Sequence, residues 1–169
     1  MRAITILLLG CWMASASFGQ HGDGNCTTPD ISSRPDCSQA IAFLKKLQVA
    51  VKSGSPDRVA ILVSYPLSTS LHGRRTLIGN RLQFVREYNN IFTGPIRCAI
   101  LHADTADVWG NYSGFMIGRG AVWWDARIPK KDTDKIARGE EIPGNKYPLK
   151  IMTVNNENVL QKECRNHKR

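Results

Sequence analysis

Apolar residues at Ile41, Leu44, Leu47 and Val51 recur at helical spacing. The stretch Asp36-Cys37-Ser38-Gln39 before them has the spacing of a capping box, with an oxygen acceptor first and Gln three residues later. Gly54 stops that helix. Ser55-Pro56-Asp57 starts a shorter one, with Pro at the first turn, where its missing N–H costs nothing, and with Val59, Leu62 and Val63 as its apolar side. Leu67, Thr69 and Leu71 then alternate with Ser68 and Ser70, which predicts a strand over 65–71. Pro66 donates no ladder bond, so it belongs at the start of that strand or on a sheet edge. His72-Gly73-Arg74 reads as a turn. Ile78, Leu82, Val85, Tyr88 and Phe92 share one side of a third helix over about 80–92, ended by Gly94-Pro95.

The second half reads as strands. Residues 96–102 form one, and 108–117 another, which Gly118-Arg119-Gly120 turns back into 121–128. Residues 147–154 form the last. Between them lies a polar insertion over 129–146; its residues 129–145 hold four acids and four bases with almost no apolar content, so it is read as a surface loop or short helix outside any core. Helices first and an antiparallel sheet afterwards make the expected fold class α+β, with N-terminal helices packed on one face of a curved antiparallel sheet, cone-like, in a single domain over 37–155.

The N-terminus changes the expected compartment. Met1-Arg2 is a basic start, 3–9 is apolar and short, and small residues follow at Ala14, Ala16, Ser17 and Gly19. This is the pattern of a secretory signal over 1–19, cut after Gly19 or, as second choice, Ala16. The rival is a lipoprotein box at Leu8-Leu9-Gly10-Cys11, with Cys11 lipidated and the chain anchored to a membrane only in that case. The expected location is therefore periplasmic or secreted. Four cysteines remain after cleavage: Cys26, Cys37, Cys98 and Cys164. In an exported chain they suggest two disulfides, and four thiols admit three pairings. Cys26–Cys37 is the local one, tying down a lead-in over 20–36. It leaves Cys98–Cys164, which would pin the basic tail over 156–169 to a central strand. No Cys-x-x-Cys pair exists, and His72 and His102 are isolated, so no metal site or cofactor is expected.

The 169 residues are 42% hydrophobic and 22% charged, which suits one packed domain rather than a disordered chain. Formal net charge is +9, from 23 Lys and Arg against 14 Asp and Glu. Residues 38–92 carry eight bases (Lys45, Lys46, Lys52, Arg58, Arg74, Arg75, Arg81 and Arg86) and two acids. Such a layer either attracts an anionic surface or keeps the protein soluble. Export and the lack of a stacking motif beside the bases argue against nucleic acid.

Several motifs keep their order: two helices followed by Tyr65-Pro66-Leu67, the Gly73 turn, a helix bearing Phe84, Tyr88, Ile91 and Phe92, and the stretch Gly114-Phe-Met-Ile-Gly-Arg-Gly-Ala-Val-Trp123. Over roughly 38–154 the chain resembles the nuclear transport factor 2-like superfamily, the cystatin-like α+β cone, and within it uncharacterised exported bacterial members. The resemblance implies an open cone mouth, and dimers through the sheet face as a common state. It implies no particular activity, since the superfamily holds isomerases, dehydratases, cyclases and plain binding modules.

Two functions follow as expectations. Trp109, Tyr112, Phe115, Trp123 and Trp124 crowd the central strands, and alternation sends Trp123 and Trp124 to opposite faces. A large aromatic on the second face calls for a partner, a ligand or a covering segment. That favours a non-catalytic binding module for a small apolar ligand or a protein partner, with a homodimer through the sheet face as one form of the latter. The alternative is a small isomerase- or dehydratase-like enzyme, using Asp104, Asp107 or Asp125 as base in the cone pocket and Tyr65 or Tyr112 as proton donor.

Overall fold

The structure is a computed structural model and describes residues 36–111, 113–140, 142–143 and 146–156. The expected signal over 1–19, Cys11, Cys26, Tyr112 and Cys164 lie outside the described residues, and the two disulfides remain proposals.

Helix α1 (Cys37–Lys52) starts at the expected capping box: the Asp36 carboxylate accepts from the Gln39 backbone N–H at 2.8 Å, and the Gln39 side chain accepts from the Asp36 N–H. Its buried face is Ala40, Phe43, Leu44, Leu47, Ala50 and Val51. A short α2 (Pro56–Ala60) follows, with Ser55 accepting from Arg58 N–H at its cap. Strand β1 (Val63–Leu71) then pairs with β2 (Arg74–Ile78), a strand the sequence reading missed. Leu71 faces Arg74, so His72-Gly73 is a two-residue loop, and both residues have positive φ (52° and 75°), as a type I′ hairpin turn requires. The strand escaped notice because Arg74, Arg75 and Leu77 are exposed on a sheet edge, leaving only Ile78 fully buried. Helix α3 (Arg81–Ile91) is capped by Asn80 and buries Phe84, Tyr88 and Ile91.

The expected strand over 96–102 is a helix, α4 (Gly94–His102). Pro95 sits in its first turn, where proline starts a helix as well as it ends one, and the buried Ile96 and Ile100 are four residues apart. The Gln48 amide of α1 donates to the Ile100 and Ala103 carbonyls, at 3.0 and 2.7 Å, satisfying end groups that α4 leaves open. Cys98 therefore lies on a helix, and a bond from it would tie the tail to the helical layer rather than to a central strand.

The expected strand over 108–117 divides into β3 (Trp109–Asn111) and β4 (Gly114–Ile117), an antiparallel pair. Gly118–Gly120 turns the chain into β5 (Val122–Ala126). Helix α5 (Lys130–Ala137) stands in the polar segment, and β6 (Leu149–Val154) completes one six-stranded sheet in the order β2-β1-β6-β5-β4-β3. The fold is α+β with helices packed on a sheet. The sheet is mixed rather than wholly antiparallel, because β6 runs parallel to β1 while pairing antiparallel with β5.

One face of the sheet carries the core. Leu67, Thr69, Ile117, Val122, Trp124, Ile151 and Val154 point from it toward Phe43, Leu47, Phe84, Ile96 and Ile100 of the helices. Trp124, fully buried, is the largest of these; its ring centre lies 5.6 Å from that of Phe43 and 6.5 Å from that of Phe115. Truncating it removes an aromatic that spans both layers. Trp124→Ala is expected to lower unfolding free energy by about 3–5 kcal/mol, read as a fall in the midpoint of a urea melt. A shift corresponding to less than about 1 kcal/mol would show that the core does not close on this residue.

Candidate functional site

Strand pairing fixes which side chains share the face away from the helices. Leu77 faces Ser68, Ser68 faces Thr153, Thr153 faces Trp123, Trp123 faces Met116 and Met116 faces Trp109. Directly opposed residues lie on the same side of a sheet, so this is one row running across all six strands on the outer face. Its β5-β4-β3 end is apolar and wide. The Trp109 and Trp123 rings meet edge to face, 6.3 Å between centres and 84° between planes, with Met116 on the strand between them. Trp109 is 36% exposed and Leu77 62%, while Trp123 and Met116 are half-buried.

The position of Trp123 depends on Gly120. A Cβ there would lie 3.1 Å from the indole Nε1 of Trp123 and 3.8 Å from the sulfur of Met116, and the backbone has φ +89°. Only glycine takes that conformation at low cost, and its missing side chain is what lets the indole lie against the turn. The next row on the same face is polar: Asn111 faces Gly114 on β4, and Asp125 faces Lys150 on β6.

The five aromatics singled out from sequence do not form one group. The sheet divides them: Phe115 and Trp124 are core, Trp109 and Trp123 are on the outer face, and Tyr112 lies outside the described residues. The acid candidates are scattered. Asp104 and Asp107 are exposed and cap a single 3-10 turn, Asp104 accepting from the N–H groups of Ala106 and Asp107 while Asp107 accepts from the N–H of Asp104. Asp125 is half-buried on the outer face. Tyr65 packs edge-on against Phe84 and donates to the Ala60 carbonyl at 3.2 Å. Burial pushes its phenol up to about 12. Tyr65 is thus on the helix side of the sheet, opposite to Asp125, and on β1, four strands from β3.

Sequence reading missed the one carboxylate that is buried among the described residues. Asp132 of α5, in the segment expected to stay outside any core, is 1% exposed, and Ile142 is buried with it. Its carboxylate accepts from the Lys146 ammonium at 2.8 Å and from the Tyr147 hydroxyl, with Lys135 3.8 Å away. These hydrogen bonds, from Lys146 first and then Tyr147, outweigh burial and hold it down at about 2. The signal available in the sequence was weak: an acid 14 and 15 residues before a Lys-Tyr pair, with a Pro-Gly pair between them. The arrangement holds α5 to the segment leading into β6. The carboxylate stays ionised, so it is an anchor and not a proton donor near neutral pH.

Among the described residues no group of three His, Cys, Asp or Glu is placed to hold a metal, and no helix is long and apolar enough to cross a membrane. Four buried side-chain polar atoms among the described residues have no partner: Thr69 Oγ1, Tyr88 OH, Trp124 Nε1 and Asn156 Oδ1. No family model, no curated protein and no solved structure matches the chain.

The folded carboxylate of Asp132 lies below its ordinary value, so its contribution to stability is complete above about pH 4 and fades as pH falls toward about 2. An acid titration of stability should therefore lose part of its slope between those values in Asp132→Asn. An unchanged slope would show that the anchor does not contribute to folding.

Proposed function

We propose that the chain is an exported, non-catalytic binding module that takes up a partner protein on the outer face of its sheet. The observation that carries this is the apolar end of the outer row, Trp109, Met116 and Trp123. These side chains lie on the sheet side turned away from the helical core and form an aromatic surface with a polar row beside it. Exposed aromatic patches anchored by tryptophan and rimmed by polar groups suit protein contacts. Partners of this kind include a second copy of the chain.

The resemblance to the nuclear transport factor 2-like superfamily belongs to the same proposal. It is supported by the order of helix, helix, Tyr65-Pro66-Leu67 strand, α3 and the aromatic strands, all closing on one sheet. Export rests on the first nineteen residues. The placement of the acids and Tyr65 lends no support to proton abstraction: Asp104 and Asp107 cap one exposed turn, Asp125 lies on the outer face and Tyr65 on the helix side. A second reading, a small ligand held between helices and sheet, is favoured by the unpartnered Thr69, Tyr88 and Trp124 atoms, since buried polar groups ordinarily have a partner. Native mass spectrometry of protein recovered after export would show that ligand as added mass.

The partner reading is tested by sedimentation of the purified protein together with affinity capture from the exported fraction. Wild type should form a defined complex, homomeric or heteromeric. Trp123→Ser should weaken it at least about tenfold, as expected for an aromatic anchor. Leu82→Ser, which alters an 84% exposed leucine on α3, should leave it intact. A wild-type protein that stays monomeric and captures nothing, or a complex indifferent to Trp123→Ser, would overturn the proposal.

A further inference from the structure

We infer that the outward face of α1 is a docking surface for a membrane bearing anionic headgroups, formed by Lys45, Lys46, Val49 and Lys52. The inference does not depend on the partner reading.

Helix α1 turns Phe43, Leu44 and Leu47 to the core, with Phe43 against Trp124 of the sheet. Helical geometry fixes what lies on the opposite side, because positions three, four and seven apart share a face. Lys45 is four residues before Val49, Lys46 three before it and Lys52 three after it. At about 100° per residue, Val49 forms the crest, with Lys45 and Lys52 on one flank and Lys46 on the other, each within about 60° of it. All three lysines are exposed, and Val49 is 67% exposed.

The charge on this stripe is of one sign. None of the 16 residues of α1 is acidic, nor is any of the 9 residues of α4, which Gln48 ties to α1. No ion pair among the described residues involves Lys45, Lys46 or Lys52. The acids before and after these helices are turned elsewhere. Asp36 accepts from the Gln39 N–H at the start of α1, and Asp57 of α2 pairs with Arg81 at 2.7 Å. Asp104 and Asp107, on the Gln48 side of α1, cap their own turn.

A helix face that serves only solubility mixes both signs. Lysine is depleted at protein contacts, and the stripe has neither the arginine forks nor the stacking rings that nucleic acids engage. Lysines around an exposed apolar crest suit a lipid surface. Their stems lie along the headgroup region with the ammonium groups at phosphates, while Val49 reaches the acyl boundary. Docking through α1 leaves the outer face of the sheet, on the other side of the molecule, turned away from the membrane.

The test is sedimentation of the full exported chain with vesicles of phosphatidylglycerol diluted in phosphatidylcholine, and with vesicles of phosphatidylcholine alone. The ratio of the two partition coefficients removes any contribution of an acyl chain at Cys11. The ratio should be well above unity and should fall as salt is added. Lys45→Gln, Lys46→Gln and Lys52→Gln should each lower it about fivefold. Arg74→Gln removes the same charge from the β2 edge and should change it less than about twofold. Val49→Ser leaves the charge unaltered and should weaken partition into the anionic vesicles about threefold or more. All five variants alter exposed side chains, and unchanged melting midpoints confirm that they fold. A ratio near unity, or equal losses in Arg74→Gln and the lysine variants, would overturn the site. So would a chain that ignores both vesicles yet binds polyglutamate through Lys46, which would assign the stripe to an acidic protein.

Discussion

The contact of Trp124 with Phe43 on one side and Phe115 on the other holds the two layers together, and the facing of β4, β5 and β6 follows from it. Side chains alternate strictly along a strand, so seating one residue in the core commits its neighbours. With Trp124 inward, Trp123 is outward, and the ladder then places Met116 and Trp109 beside it. A slip of one residue would exchange the two tryptophans and turn the packed face toward water. The outer aromatic row is thus a consequence of how the core closes.

Around that packed centre, polar contacts hold the edges. Gln48 closes the end of α4 from α1, Asn156 donates to the Ser70 and Asn90 carbonyls as the chain leaves β6, and Asp132 anchors α5 through Lys146 and Tyr147. These partners are 14 to 86 residues apart in sequence. Gln48 and Asn156 join element ends, whose backbone carbonyls lack a ladder or helical partner, to a side chain from elsewhere, while Asp132 is held side chain to side chain.

The outer face sets apolar and polar groups in adjacent rows. Trp109, Met116 and Trp123 offer apolar area, and Asn111, Asp125 and Lys150 stand in the row beside it. An apolar surface alone is indiscriminate, and polar groups at its rim select among partners.

The helices α1, α2 and α3, the strand through Leu67 and Leu71 and the opposed facing of Trp123 and Trp124 were legible in the chain, because each depends on local periodicity and local capping. Helix α4 was not. Its run of Ile96, Cys98, Ala99, Ile100 and Leu101 is apolar at either period, and only packing against α1 decides between them. Strand β2 was hidden because an edge strand needs only Ile78 to be buried. The parallel pairing of β1 with β6, the burial of Asp132 and the contacts of Arg127 with the Tyr65 carbonyl and of Lys150 with the Ile61 carbonyl all join residues apart in sequence. No local pattern encodes such contacts, and they exist only once the chain has closed into one sheet.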